Sequence, residues 1–237
     1  MKNSMKLRKH NFLKKYDKNR VNFITVDGIT CSGKSLFANL LKRKLSSKFK
    51  NILILSKDLF LYTREKRISF TKKINKDFYN QNKVHYDLNK LIILIKFLKK
   101  GNKNKTLVLK NLYNRTTGKN NLTLNYKFLP KRLIIFEGIY VNEDIKSLIK
   151  PIAKILIIEK VYESLARKIE RIRDKKISIQ HVVTEFTRIH LQSFKKHLLK
   201  NNFDLIFKDQ KRDFVSIRSG KKKQLDYIKV FLSKHLY

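Results

Sequence analysis

Eight consecutive residues carry the clearest chemical signal in the chain: Gly28, Ile29, Thr30, Cys31, Ser32, Gly33, Lys34 and Ser35, the spacing Gly-x-x-x-x-Gly-Lys-Ser. A loop of this kind between a strand and a helix turns backbone N–H groups inward as a nest for phosphate oxygens, helped by the helix N-terminus. In such a loop Lys34 reaches the β- and γ-phosphates of a nucleotide and Ser35 binds Mg²⁺. The chain has only six glycines, and two of them fall at the required positions. The competing reading, an ordinary strand-to-helix turn, must treat that as coincidence. Cys31, the only cysteine, is a spacer in the pattern.

Three further pieces fall where such a loop needs partners. Asp58 follows the apolar run at 52–55 within Lys-Asp-Leu-Phe, on the crevice side of the sheet. An acid there could take the proton of an attacking hydroxyl or position it for in-line transfer; the alternative is a turn or helix N-cap aspartate. Glu137 ends the run Leu-Ile-Ile-Phe beside Gly138, with Pro130 ahead of the run. An acid at the tip of a buried strand suits the water shell of Mg²⁺. Arg167 and Arg171 lie four apart on one helical face and are followed by Arg173, Lys175 and Lys176. Such a cluster could close over transferring phosphates and stabilise their charge, and in so basic a chain its alternative is a solvated helix face.

The elements that must hold these groups show in the hydrophobic pattern. Unbroken apolar runs at 23–26, 52–55, 133–136, 155–158 and 205–207 predict strands covered on both faces, hence parallel ones. Helices are predicted at 35–45, 88–100, 162–173, 179–200 and 225–236, with Gly101 as the C-cap of the second. The alternation predicts an α/β fold, a parallel sheet flanked by helices, with its ligand crevice at the strands' C-terminal ends. Residues 1–20 are basic and poor in apolar side chains and read as a flexible N-terminal tail, with an amphipathic start or a targeting segment as alternatives. Residues 21–237 read as one domain.

The balance of 57 basic against 18 acidic residues, net +39, would suit a nucleic-acid or anionic-membrane partner. Against a dedicated surface, the lysines are scattered over every segment, and Gly, Pro and Trp are scarce as in a composition drifted by AT-rich coding. Weak, non-specific nucleic-acid binding at low salt is the consequence expected of drift. No apolar run approaches the roughly 18–20 residues of a membrane span. A single cysteine excludes intramolecular disulfides and cysteine-rich metal sites. The expectation is a protein of the reducing cytoplasm with no membrane partner.

Taken in order, GITCSGKS, NILILSKDLF, HYDLNKLIILIKFLKKGN, LYNRTT, LIIFEGIY, ARKIERIRD and NFDLIF resemble the uridine kinase branch of the uridine kinase/phosphoribulokinase family of P-loop kinases. The resemblance runs over about 21–207. It implies a P-loop sheet with a small lid, and ATP with Mg²⁺ as cofactors. It also implies γ-phosphate transfer to a hydroxyl, usually the 5′-OH of uridine or cytidine. It makes Asp58 the catalytic base, Ser35 and Glu137 the metal shell, and Arg167, Arg171, Arg173 and Asp174 the lid. Lys34 and Arg173 join Asp58 in catalysis, and Tyr113 and Glu185 join Asp58 and Arg173 on the acceptor side. The related kinases are commonly oligomeric, so a homo-oligomer is among the expected partners, although no interface is legible.

The departures concern the acceptor. Tyr79-Asn-Gln-Asn-Lys83 stands where these kinases carry Asn-Phe-Asp-His-Pro, Tyr113-Asn114 replaces Tyr-Asp, and Gly118 falls near the place of the pyrimidine-reading histidine. Lysines and Ile177 replace the Arg-Gly-Arg after Asp174. Another nucleoside, such as nicotinamide riboside, or a sugar-like hydroxyl compound is therefore the alternative acceptor. A P-loop protein that binds ATP and holds nucleic acid through its basic surface is the alternative class.

Overall fold

The computed structural model describes residues 5–6, 15–73, 82–101, 105–130, 132–172, 178–210, 213–216, 228–230 and 233. Its elements are β1 (Met5–Lys6), β2 (Asn22–Gly28), α1 (Lys34–Leu45), β3 (Ile52–Ser56), a 3₁₀ turn (Lys57–Phe60) and α2 (Arg64–Lys73). A second 3₁₀ turn (Asn82–His85), α3 (Leu88–Lys100), the hairpin β4 (Thr106–Leu112) and β5 (Leu122–Lys127), β6 (Leu133–Glu137) and α4 (Val141–Ile145) follow. The chain continues through β7 (Ala153–Ile158), α5 (Val161–Ile172), α6 (Ile179–Glu185), a π-helical turn (Phe186–Leu191), α7 (Gln192–Lys200), β8 (Leu205–Gln210) and β9 (Asp213–Ser216).

The main sheet has the order β1-β9-β8-β7-β2-β6-β3. The five strands expected from apolar runs are mutually parallel, while β9 runs antiparallel to β8 and β1 runs with β9. Successive residues of a strand serve opposite faces. Accordingly Ile24 and Val26 pack under Phe37, Ala38 and Leu41 of α1, while Phe23 joins Leu91, Leu94, Ile95 and Leu98 of α3 on the other face. A third cluster gathers Phe186, Phe194 and Leu198 against Leu156, Ile158 and Ile206. Register decides where the chemistry meets. Val26 and Ser56 both pair with Glu137, so β3 and β6 end at one level and β2 runs two residues beyond it, to Gly28.

The structure adds features to those expected. The β4–β5 hairpin forms a separate two-stranded sheet on the α3 side, with a bulge between Leu109 and Leu112 and Asn111 at φ 56°. The helix expected over 179–200 is interrupted by the π-helical turn. Gly101 does end α3, but with extended backbone; its N–H bonds Phe97 O at 2.7 Å. Glycine is needed there because a Cβ would come within 2.6 Å of that carbonyl and 2.9 Å of the Phe128 ring. Of the expected tail, Met5–Lys6 pair with β9 and the Tyr16 ring packs on Phe49 at 4.7 Å. Of the helix expected over 225–236, residues 228–230 and 233 are described, and they are helical. Among the described residues no helix is long and apolar enough to cross a membrane.

Candidate active site

β2 ends at Gly28 and α1 starts at Lys34, so the Gly-Lys-Ser loop is the strand–helix connection its spacing requires. A Cβ on Gly28 would meet Ile157 O and Ser32 Oγ, each at 2.7 Å, which leaves only glycine for that approach. Gly33 is left-handed (φ 90°) and Cys31 likewise (φ 61°), which curls the loop back on itself. Gly33 offers no side-chain cap and the first turn of α1 carries no acid, so its N–H groups are open to an anion. The Ser32 hydroxyl, buried in the loop, has no hydrogen-bond partner among the described residues. These features fit a phosphate chain.

Lys34 is buried and donates to Ile29 O at 2.6 Å. Burial pushes its ammonium down to about 8; Glu137, Cys31 and Asp27 oppose the shift, and Arg115 adds to it.

Lys34 and Ser35 share a cavity of ≈ 230 Å³ with Asp58, Glu137, Arg171 and Arg115. Asp58 is the second residue of the 3₁₀ turn and not its N-cap, which is Ser56. Its carboxylate is ion-paired with Arg115 from the turn after β4. Glu137 is buried at the tip of β6. Ser35 and Glu137 fit Mg²⁺, which binds through one or two protein oxygens, waters and substrate phosphates. Among the described residues no cluster of three His, Cys, Asp or Glu offers a denser metal cage.

Other expected residues are engaged differently. Arg167 binds Glu159 at 3.0 Å and Cys31 O at 3.3 Å, bracing the loop, while Arg171, one turn on, lines the cavity. Tyr113 stands beside Arg67, whose guanidinium lies 3.5 Å from its hydroxyl and 5.4 Å from its ring centre. Glu185 is held by Lys168 at 2.7 Å and His190 at 3.4 Å. Burial raises the Glu185 carboxyl, but His190 and Lys168 outweigh it and keep it below the ordinary range. Neither Tyr113 nor Glu185 lines the phosphate cavity. Arg173, Asp174, Lys175, Lys176, Ile177, Tyr79 and Gln81 lie outside the described residues.

Sequence reasoning missed three supports of the site. Asp27, fully buried before Gly28, accepts from Tyr140 N (2.8 Å), Gly28 N (3.1 Å) and Asn142 Nδ2 (3.1 Å) and meets His197 Nε2 at 3.1 Å. Burial raises its pKa, but His197 and the N–H groups of Asn142 and Tyr140 hold it below the ordinary carboxylate value. Lys57, also buried, reaches Asp144 at 2.5 Å and Ile139 O at 2.8 Å, with the Tyr86 ring centre 4.0 Å away. Gly138 exists for it, since a Cβ there would stand 2.6 Å from Lys57 Cβ. Arg115 is the third. Its signal was its place beside Tyr113 in LYNRTT.

No family model and no curated protein sequence matches the chain. Solved structures do. A Bacillus stearothermophilus protein described as a possible uridine kinase superposes with TM-score 0.57 at 14% identity, over 83% of this chain and 93% of that one. A D-glycerate 3-kinase from Cryptococcus neoformans gives 0.58 at 13%, over 87% and 96%. The Silicibacter sp. TM1040 protein described as a fructose transport system kinase gives 0.59 at 17%, over 83% and 93%. At such identities the likeness shows the fold: a parallel α/β sheet flanked by helices, of the kind found in P-loop kinases.

Proposed function

We propose that the protein is a kinase that uses ATP with Mg²⁺ and transfers the γ-phosphate to a hydroxyl of a small molecule. The observation that carries this reading is the single cavity joining Lys34, Ser35, Asp58, Glu137 and Arg171. The loop N–H groups and Lys34 hold the β- and γ-phosphates, and Ser35 and Glu137 hold the metal. Mg²⁺ supplies neutralisation of charge on the phosphate oxygens. Arg171 adds charge from α5, Arg173 is proposed to act with it, and Arg167 keeps the loop in shape. Asp58 takes the proton of the acceptor hydroxyl.

The 5′-OH of uridine or cytidine is the acceptor that the resemblance implies, with another nucleoside or a sugar-like compound as the alternative. Tyr113 and Glu185 are the acceptor-side residues proposed for it. The test is transfer from labelled ATP with Lys34→Ala and Asp58→Ala variants. Each should lose about 10²–10⁴-fold in kcat, with an unchanged far-UV circular dichroism spectrum. An active Asp58→Ala enzyme would remove the base assignment.

A further inference from the structure

We infer that the acceptor carries a negatively charged group of its own, a carboxylate or a phosphate, and that Arg115 selects for it. The inference rests on the kinase reading above and concerns only what receives the phosphate.

Arg115 is delivered to Asp58 by fixed backbone. Its turn is closed by Asn114, whose N–H bonds Lys119 O at 2.8 Å and whose side chain accepts from Thr116 N at 2.9 Å. Tyr113 N bonds Leu59 O at 2.8 Å and Asn120 Nδ2 bonds Leu61 O at 2.8 Å. The hairpin is thus stitched to the same strip that carries Asp58. A guanidinium has five N–H donors, and one carboxylate takes at most a fork of two. Arg115 is 56% exposed in its side chain and lines the cavity, so donors remain for a ligand.

Its side of the cavity is also informative. The cations facing the nucleotide phosphates, Lys34 and Arg171, come from the loop and α5. Arg115 comes instead from the hairpin bonded to the strip that carries Asp58, two residues after Tyr113, whose hydroxyl meets Arg67. Glu137 lines the same cavity, but among the described residues no ion pair joins it to Arg115. Asp58 is therefore the one carboxylate paired with Arg115 among the described residues, and transfer neutralises it by protonation. Arg115 donors that the Asp58 carboxylate does not use line the same cavity as the base, and an oxyanion is the acceptor group that would match them.

The ion pair gives the selection a mechanism. Arg115 holds Asp58, and an oxyanion on the acceptor competes for that guanidinium and frees carboxylate lone pairs for the hydroxyl. The hydroxyl proton then passes to Asp58 and its oxygen bonds the γ-phosphorus. The bond from that phosphorus to the β–γ bridging oxygen breaks, and ADP leaves with the electron pair. Water brings no anion, leaves Asp58 paired, and is a poor acceptor.

The full chain with ATP and Mg²⁺ is assayed on three groups of acceptors: uridine, cytidine and glucose; glycerate and gluconate; glucose 6-phosphate and ribose 5-phosphate. Turnover should concentrate in one charged group, with kcat/KM at least about 10²-fold above every neutral compound. Which group responds tells carboxylate from phosphate. Arg115→Gln should raise KM for that acceptor roughly tenfold or more and collapse the charged-to-neutral ratio, with Arg115→Lys retaining part of it. The ratio does not depend on the fraction of folded enzyme, so misfolding cannot imitate the result. A neutral acceptor used as well as any charged one, or a ratio unchanged in Arg115→Gln, overturns the inference and leaves the kinase reading standing. No transfer in any group removes the kinase reading, and this inference with it.

Discussion

The role proposed for Lys34, holding phosphate, requires its charge, yet it sits where burial disfavours charge. Its ammonium, pushed down to about 8 mainly by burial, is kept mostly protonated at neutral pH by Glu137, Cys31 and Asp27. Bound phosphates add negative charge beside it and raise its pKa, so nucleotide binding takes up a proton once the free lysine starts to lose its own. The sign follows: affinity for ATP is flat below about pH 7 and weakens above about pH 8, by up to roughly tenfold per pH unit. Calorimetric titration with Mg-ATP between pH 6.5 and 9.5 measures it. Lys34→Arg, which keeps its charge throughout, should bind with a flat profile over that range. A wild-type profile as flat as that of Lys34→Arg would show that Lys34 does not carry the phosphate charge.

At the scale of elements, the 3₁₀ turn Lys57–Phe60 decides whether Asp58 reaches the loop. Its clamp is the Lys57–Asp144 pair, side chains 1% and 2% exposed, which ties the end of β3 to α4 and to the turn after Glu137. Removing one member of a buried pair leaves the other charge unmatched. Lys57→Met should therefore lower stability by about 3–5 kcal/mol, read from urea unfolding, and lower kcat by displacing Asp58. Lys57→Met with Asp144→Leu should recover much of the stability. Full recovery of stability without recovery of kcat would separate the positioning role from the structural one. None of this was legible beforehand. The parallel strands were, because strands covered on both faces must be apolar throughout, and so was the strand–loop–helix connection at residues 28–35, because the close approach at Gly28 demands glycine. The β4–β5 hairpin differs in kind: β5 alternates apolar and polar residues over Leu122–Lys127, the pattern of a strand covered on one face and not of an unbroken apolar run, and no tight two-residue turn marks its long loop. Lys57, Arg115 and Asp27 hid for another reason. A charged residue's role depends on what the fold sets opposite it, and among 57 basic residues one lysine has no local mark.

For the molecule as a whole, the net charge of +39 is more lopsided at the surface than the sum suggests. Of the 18 acids, Asp27, Asp58, Glu137, Asp144, Glu159 and Glu185 are committed to the site or to the pairs that brace it. Exposed lysines stand on several elements, among them Lys42 on α1, Lys96 and Lys99 on α3, Lys110 on β4, Lys127 on β5 and Lys196 on α7. Scattered charge of this kind would attract polyanions through counterion release, with little preference among sequences. Duplex DNA of any sequence should be retained at about 0.02 M salt and released by about 0.3 M, with log K falling linearly in log salt. Saturating ATP should leave that slope unchanged, because the phosphate cavity takes no part. Filter binding across the salt series measures both. Retention of one nucleic acid over others near physiological salt, together with no turnover on any hydroxyl acceptor, would reverse the assignment. The charge would then be the function and the loop its regulator, in place of a kinase whose surface has drifted basic around an acid-dependent site.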